Sequence, residues 1–328
     1  MIFLLIRKGF LFLINLNIWN GFTRYYSSSS TQQYLQKCYQ KLSIINIETK
    51  SYDNCYPFIY YLEHGQTYFT QARTAPLSIQ PILLFYGCLQ LIKACLLTID
   101  PDYPDTTSVL AHGVTTRKRK KQQYSFLQDE VKTQKNGLFS HMSWKMFHMK
   151  QLEHEKFSME QLIREIPEMQ HIHPKKTFEK LAETENHFEL PLSLLDTFQM
   201  TSARLGDFLT AKTKLSMDVK PDKLKLNLVT EEPFTVNQHS PIHFNLIENT
   251  YMLSLNKHSP CYLFPELLNH YLVLYNLSMI CRYETEWWYE LQKTVPTDDF
   301  PAIVQYVQIS QEKIPFLILQ WLTSISVK

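Results

Sequence analysis

A chain of 328 residues with 45% hydrophobic and 13% aromatic side chains has the material for a large core, which excludes wholesale disorder. Its formal charge is only +2, so no global field draws it to nucleic acid or to a membrane, and anion recognition must come from local clusters. Seven glycines in the whole chain leave no phosphate-cradling fingerprint: GxGxxG, GxxxxGK[ST] and GxSxG are all missing from the text.

The first residues, MIFLLIRKGFLFLINLN, are apolar but interrupted by Arg7 and Lys8. The clean run Phe10–Leu16 is too short to span a bilayer, and no small-residue cleavage site follows it. Residues 1–17 are therefore read as an extension ahead of the domain, non-native or disordered. A serine run then opens a helix over Ser28–Leu42, with Tyr34, Leu35, Cys38, Tyr39 and Leu42 at helical spacing. A short helix is expected over Pro57–Phe69. The strongest element is PLSIQPILLFYGCLQLIKACLLTIDP, apolar nearly all round and stopped by Pro101, which reads as a central buried helix. Lys93 is its only charge, and such a lysine is expected to snorkel to an edge.

From Asp100 to Lys121 the pattern breaks into a long polar loop, acidic and proline-rich first and then strongly basic. Gly137 marks a turn in QKNGLF (Gln134–Phe139). Modest helices are expected over Phe157–Ile166 and Phe178–Glu185. Between Phe208 and Leu255 alternating text such as Lys223-Leu224-Lys225-Leu226-Asn227-Leu228, punctuated by proline turns, predicts three or four antiparallel strands. Helices return over Pro265–Lys293, Pro301–Ile309 and Pro315–Ile325. The expected architecture is α+β: a predominantly helical core with a small antiparallel β insertion over about residues 208–255. It is organised as a helical region 18–205, a β segment 206–260 and C-terminal helices 261–328 packing back on the core as one composite domain.

Six cysteines without CxxC or paired spacing read as small core residues of a reducing compartment, so a cytoplasmic location with no membrane association is expected. Twelve histidines contain no HExxH or comparable set, so no metal is expected. No cofactor is expected either. The run Arg117-Lys118-Arg119-Lys120-Lys121, with Tyr124 close behind, has the charge and the stacking surface to grip a nucleotide or RNA; the plainer reading is a solvated loop. His112-Gly113 and Lys135-Asn136-Gly137 add to the first reading, because glycine lets the backbone come close to a ligand. Arg164 and His171 fit the loose R-x(4–6)-H signature of HEPN-type ribonucleases, dimers in which the arginine would stabilise phosphorane charge and the histidine would move protons. Pro167 falls between them, where it breaks the helix that should carry both. Arg282, Glu286 and Glu290 stand at i, i+4, i+8 beside Trp287 and Trp288. Arg282 is either a structural clamp paired with Glu286 or a cation that meets the polar loop and closes a site.

The segments Asn54–Gly65, Pro81–Thr98, Ser108–Lys121, Gln134–Phe139 and Leu277–Trp288 resemble the YaaC-like family of bacterial, chiefly Bacillus-type, proteins, and the likeness runs from about Ile18 to the C-terminus. The resemblance implies a cytoplasmic protein and carries over neither a catalytic residue nor a cofactor. The expected function is binding or regulation through recognition of a nucleotide or RNA by His112, Arg117, Lys118, Arg119, Lys120, Lys121, Lys135 and Arg282. The alternatives are an HEPN-like, metal-independent ribonuclease acting as a homodimer through Arg164 and His171, or a protein–protein scaffold using the edge of the β segment.

Overall fold

The computed structural model of the protein describes residues 18–42, 44–116, 124–149, 152–172, 175–184, 187–222, 225–230, 234, 241–295 and 297–327. The fold is α+β and dominated by helices. In chain order the helices are α1 (Ser28–Lys41), α2 (Ile47–Thr74), α3 (Gln80–Leu97), α4 (Leu138–Phe147), α5 (Met159–Ile163), α6 (Ser193–Phe198), α7 (Ser202–Thr213), α8 (Glu266–Tyr283), α9 (Thr285–Thr294) and α10 (Asp299–Val327). The strands are β1 (Val114–Thr116), β2 (Glu130–Thr133), β3 (Lys156–Ser158), β4 (Phe178–Lys180), β5 (Ala182–Glu183), β6 (Phe188–Pro191), β7 (Met217–Pro221), β8 (Lys225–Thr230), β9 (Ile242–Asn245) and β10 (Thr250–Ser254). Two compact units divide the chain, one made of Met1–Met159 with His270–Lys328 and the other of Glu160–Asn269.

In the first unit α1 forms where the spacing predicts it, burying Tyr34, Leu35, Cys38 and Tyr39. α2 is much longer than expected and carries Pro57 inside it. The hydrogen bond that Pro57 cannot make is offset by burial of Phe58, Ile59, Leu62 and Phe69 on one face. α3 is long and apolar enough to cross a membrane by length and composition, yet it is mostly buried within the protein, as a core helix is. α10 runs straight through Pro315, where two helices were expected. It is tied to its neighbours by Tyr34, whose hydroxyl donates to the Leu322 carbonyl (2.8 Å), and by Trp321, whose Nε1 donates to Thr98 Oγ1 (3.3 Å). A three-stranded antiparallel sheet, β1-β2-β3, completes this unit.

The second unit holds a four-stranded antiparallel sheet, β5-β6-β8-β7, and a three-stranded one, β4-β10-β9. Leu226 and Leu228 of β8 point into a core with Leu190, Leu205, Leu209 and Val219, as their period-2 spacing requires. Three local expectations are corrected here. Residues 178–183 form β4 and β5 instead of the helix expected over Phe178–Glu185, because Phe178, Glu179 and Lys180 find partners in Ser254, Leu253 and Met252 far along the chain. Residues 157–163 divide between β3 and the short α5, and a turn follows over 164–166 where the expected helix would have continued. Residues 210–213 close α7, whose start is capped by Thr201 Oγ1 accepting from the Arg204 amide (3.4 Å).

Candidate anion-binding site

The site is built on a crossing of two loops in the first unit. Gly113 has φ +75 and Gly137 φ +124, both in the left-handed region, and a Cβ on Gly137 would lie 2.3 Å from the Gly113 nitrogen. Only glycine permits that approach. The crossing is locked by backbone bonds from Leu138 to the Ala111 carbonyl (2.7 Å), from Gln134 to that of Gly113 (2.9 Å) and from Phe139 to that of His112 (3.1 Å). The Tyr271 hydroxyl also donates to the His112 carbonyl (2.7 Å). These glycines therefore let backbone meet backbone, and their effect is to fix His112. Its ring lies 5.2 Å from that of Phe85 and 5.6 Å from that of Tyr275, centroid to centroid.

Two cations bear on that ring. Burial lowers the His112 pKa from its ordinary 6.5, and the positive charges of Arg282 and then Lys93 lower it further. Arg282, half-buried at the end of α8, donates from Nε to the Ser278 carbonyl (3.1 Å), from Nη1 to the Tyr86 hydroxyl (3.4 Å) and from Nη2 to Met279 Sδ (3.1 Å). Its guanidinium carbon sits 5.3 Å from the Tyr283 ring centroid. Lys93, with its pKa pulled down by burial, lies over the Tyr61 ring at 5.6 Å. Among the described residues neither Lys93 nor Arg282 has a carboxylate partner. Partly buried cations are normally paired, so the arrangement is a socket short of negative charge. Aromatic rings lead to it: His64 stacks on Tyr68 (4.8 Å) and Tyr68 on Tyr86 (6.1 Å), which ends at Arg282. Gly87 lets α2 come close to α3 beside this stack, since a Cβ there would lie 2.8 Å from the Phe69 ring and 3.0 Å from the Tyr68 Cβ.

Of the residues singled out by sequence, His112 and Arg282 come together. The expected pairing of Arg282 with Glu286 does not form. α8 ends at Tyr283, and Glu284, with φ -116 and ψ 48, separates it from α9. Arg282 instead joins α8 to α3 through the Tyr86 hydroxyl. Arg117, Lys118, Arg119, Lys120 and Lys121 lie outside the described residues. Their flanks are described on both sides. β1 leaves the crossing directly after His112, and on the far side the Tyr124 hydroxyl donates to Asp129 Oδ2 (2.6 Å), which also accepts from Asn276 Nδ2 of α8 (2.9 Å). Asp299, at the start of α10, accepts from the amides of Phe126 (2.9 Å) and Leu127 (3.3 Å) and steadies the same turn. Lys135 has a different setting, exposed on the wall of a cavity with Ser108, His141 and Trp144.

Arg164 and His171 stand in the second unit, on either side of the break made by Pro167. Arg164 lies in the turn after α5, where Nη2 pairs with Glu160 Oε1 (2.5 Å), and an exposed His171 sits in the 3-10 helix Pro167–Ile172. Among the described residues no group of three His, Cys, Asp or Glu side chains could hold a metal ion. Sequence reasoning missed Lys93 and Tyr86 as members of the site. The signal was present, since Lys93 is the one charge on an otherwise apolar core helix. No curated protein and no solved structure matches the chain. The model of the YaaC-like protein family matches residues 23–322, nearly the whole chain, and the protein belongs to that family.

Proposed function

We propose that the protein is a binding or regulatory protein of the cytoplasm that takes a nucleotide or an RNA phosphate at the His112–Lys93–Arg282 cluster. The observation that carries this reading is the gathering of two half-buried cations, neither with a carboxylate partner among the described residues, around a histidine whose charged form they disfavour. A phosphate supplies the missing negative charge and accepts from the guanidinium and the ammonium at once. The Tyr68–Tyr86 stack offers a planar surface for a base beside it. Arg117–Lys121 follows β1 closely in the chain and adds charge for a polyanion. The six free cysteines, five of them buried, accord with a reducing compartment.

A thermal-shift panel of nucleotides and short RNAs tests the reading on the full chain, with two sets of variants. Arg282→Gln and Lys93→Met remove the socket, and a triple alanine variant at Arg117, Arg119 and Lys121 removes the loop charge. The expected result is a ligand that raises the melting temperature of the wild type, raises that of the loop variant less, and leaves the socket variants unshifted. Equal shifts in wild type and socket variants would refute binding at the cluster.

A further inference from the structure

The cavity that Lys135 lines stands apart in its residues from the cation cluster. It has a volume of about 320 Å³ and is lined by Ser108, Lys135, His141, Trp144 and Glu153 among others. That volume is at the lower end of the range of small-molecule sites, roughly 300–1,000 Å³. One wall is rigid. His141 Nε2 meets Asp100 Oδ2 at 2.8 Å, and Lys145 Nζ reaches the same oxygen at 3.1 Å. Burial alone would raise the Asp100 carboxyl, but its hydrogen bonds from His141 and Lys145 outweigh burial and hold it below the ordinary range. Asp100 is therefore the fixed acceptor, with His141 Nε2 turned towards it and the other ring nitrogen, Nδ1, outside that contact. No described residue takes up that Nδ1, and it is not among the sealed polar atoms.

The remaining lining supplies two charges and a ring. Lys135 and Glu153 are of opposite sign, line the same cavity, and have no ion pair or hydrogen bond of their own among the described residues. Trp144 leaves 38% of its surface exposed, enough for a flat apolar group to pack on.

We propose that this cavity is a ligand site for a free amino acid with an aromatic side chain. Lys135 receives the α-carboxylate, Glu153 accepts from the α-ammonium, and Trp144 packs against the side-chain ring. The two unpaired opposite charges select the zwitterion over a plain acid or a plain amine, because either fragment leaves one of them without a partner.

Isothermal titration of the full chain with L-phenylalanine, 3-phenylpropanoate and phenethylamine tests this. The wild type is expected to bind L-phenylalanine saturably and each fragment about tenfold or more weakly, the loss that follows when one charge-assisted contact is removed. Lys135→Ala is expected to bind L-phenylalanine no better than phenethylamine, and Glu153→Gln no better than 3-phenylpropanoate. Both residues are exposed, so neither change threatens folding. Arg282→Gln is expected to bind L-phenylalanine as the wild type does, which keeps this site distinct from the cation cluster. Absence of saturable heat with L-phenylalanine, unchanged affinity in both cavity variants, or loss of binding in Arg282→Gln overturns the proposal.

Discussion

The backbone of His112 is fixed by two donors on its carbonyl, while its ring is left to respond to charge. Burial, Arg282 and Lys93 all act against protonation, so the ring is neutral at pH 7 and titrates below its ordinary 6.5. Two consequences can be read by NMR of the histidine ring nitrogens. Arg282→Gln removes one repelling charge and raises the His112 pKa; a bound phosphate also raises it, by placing negative charge beside the ring. The linkage has a definite sign. A depressed folded-state pKa gives a contribution to stability that is fully present above pH 6.5 and is lost as pH falls through the folded value, since the unfolded chain binds the proton first. A denaturation series from pH 7.5 to 5 should show this loss shrink in Arg282→Gln, and an identical slope in both proteins would exclude the coupling. His112 and Arg282 were legible as candidates from residue type and local text. Lys93 was visible as an anomaly, but its meaning depends on Arg282, which lies far along the chain and comes close only through the packing of α3 with α8.

Among elements, those whose character rests on their own periodicity were legible. α1 and α3 appear where their apolar spacing puts them, and Leu226 and Leu228 enter the core as alternation requires. The misread elements are those decided by remote partners. Residues 178–183 have no strong period of their own and become strands through pairing with β10 and β6. The break at Glu284 was equally invisible, because Arg282, Glu286 and Glu290 have perfect helical spacing in the text. The scarce glycines were recognised as close-approach positions, although the partner proved to be each other instead of a ligand. Gly137→Ala tests that role. Its φ of +124 and the 2.3 Å approach to the Gly113 nitrogen mean that neither backbone nor neighbour can yield cheaply, and a strain of about 1–3 kcal/mol or more is expected. Urea denaturation should give a lower midpoint with little change in slope, and the same variant should bind phosphate ligands more weakly because His112 loses its seat. Wild-type stability in Gly137→Ala would show that the two loops can part without cost.

For the whole molecule, the two units each have a core made by non-local pairing, which explains why a division at Glu160 left no mark in composition. What composition did convey was the chemistry of the six thiols. Cys38, Cys55, Cys88, Cys95 and Cys261 are buried, Cys281 is half-buried, and all six are free. Burial raises every one of them, Cys38 to about 11, and Cys55, Cys88, Cys95, Cys261 and Cys281 in the same direction. At neutral pH little thiolate is present, and the reactive species is the thiolate. Reaction with iodoacetamide must then wait for local or global opening of the fold, so intact-mass spectrometry should find the native protein almost unlabelled over a time in which free glutathione is consumed. Six additions should appear promptly in concentrated urea. Cys281, the most accessible of the set, is expected to be the first to label under native conditions, and ligand bound at the neighbouring Arg282 should slow it by holding the end of α8 closed. Fast labelling of Cys88 or Cys95 in the native state would contradict the position of α3 as the central core helix, since both thiols are sealed within it.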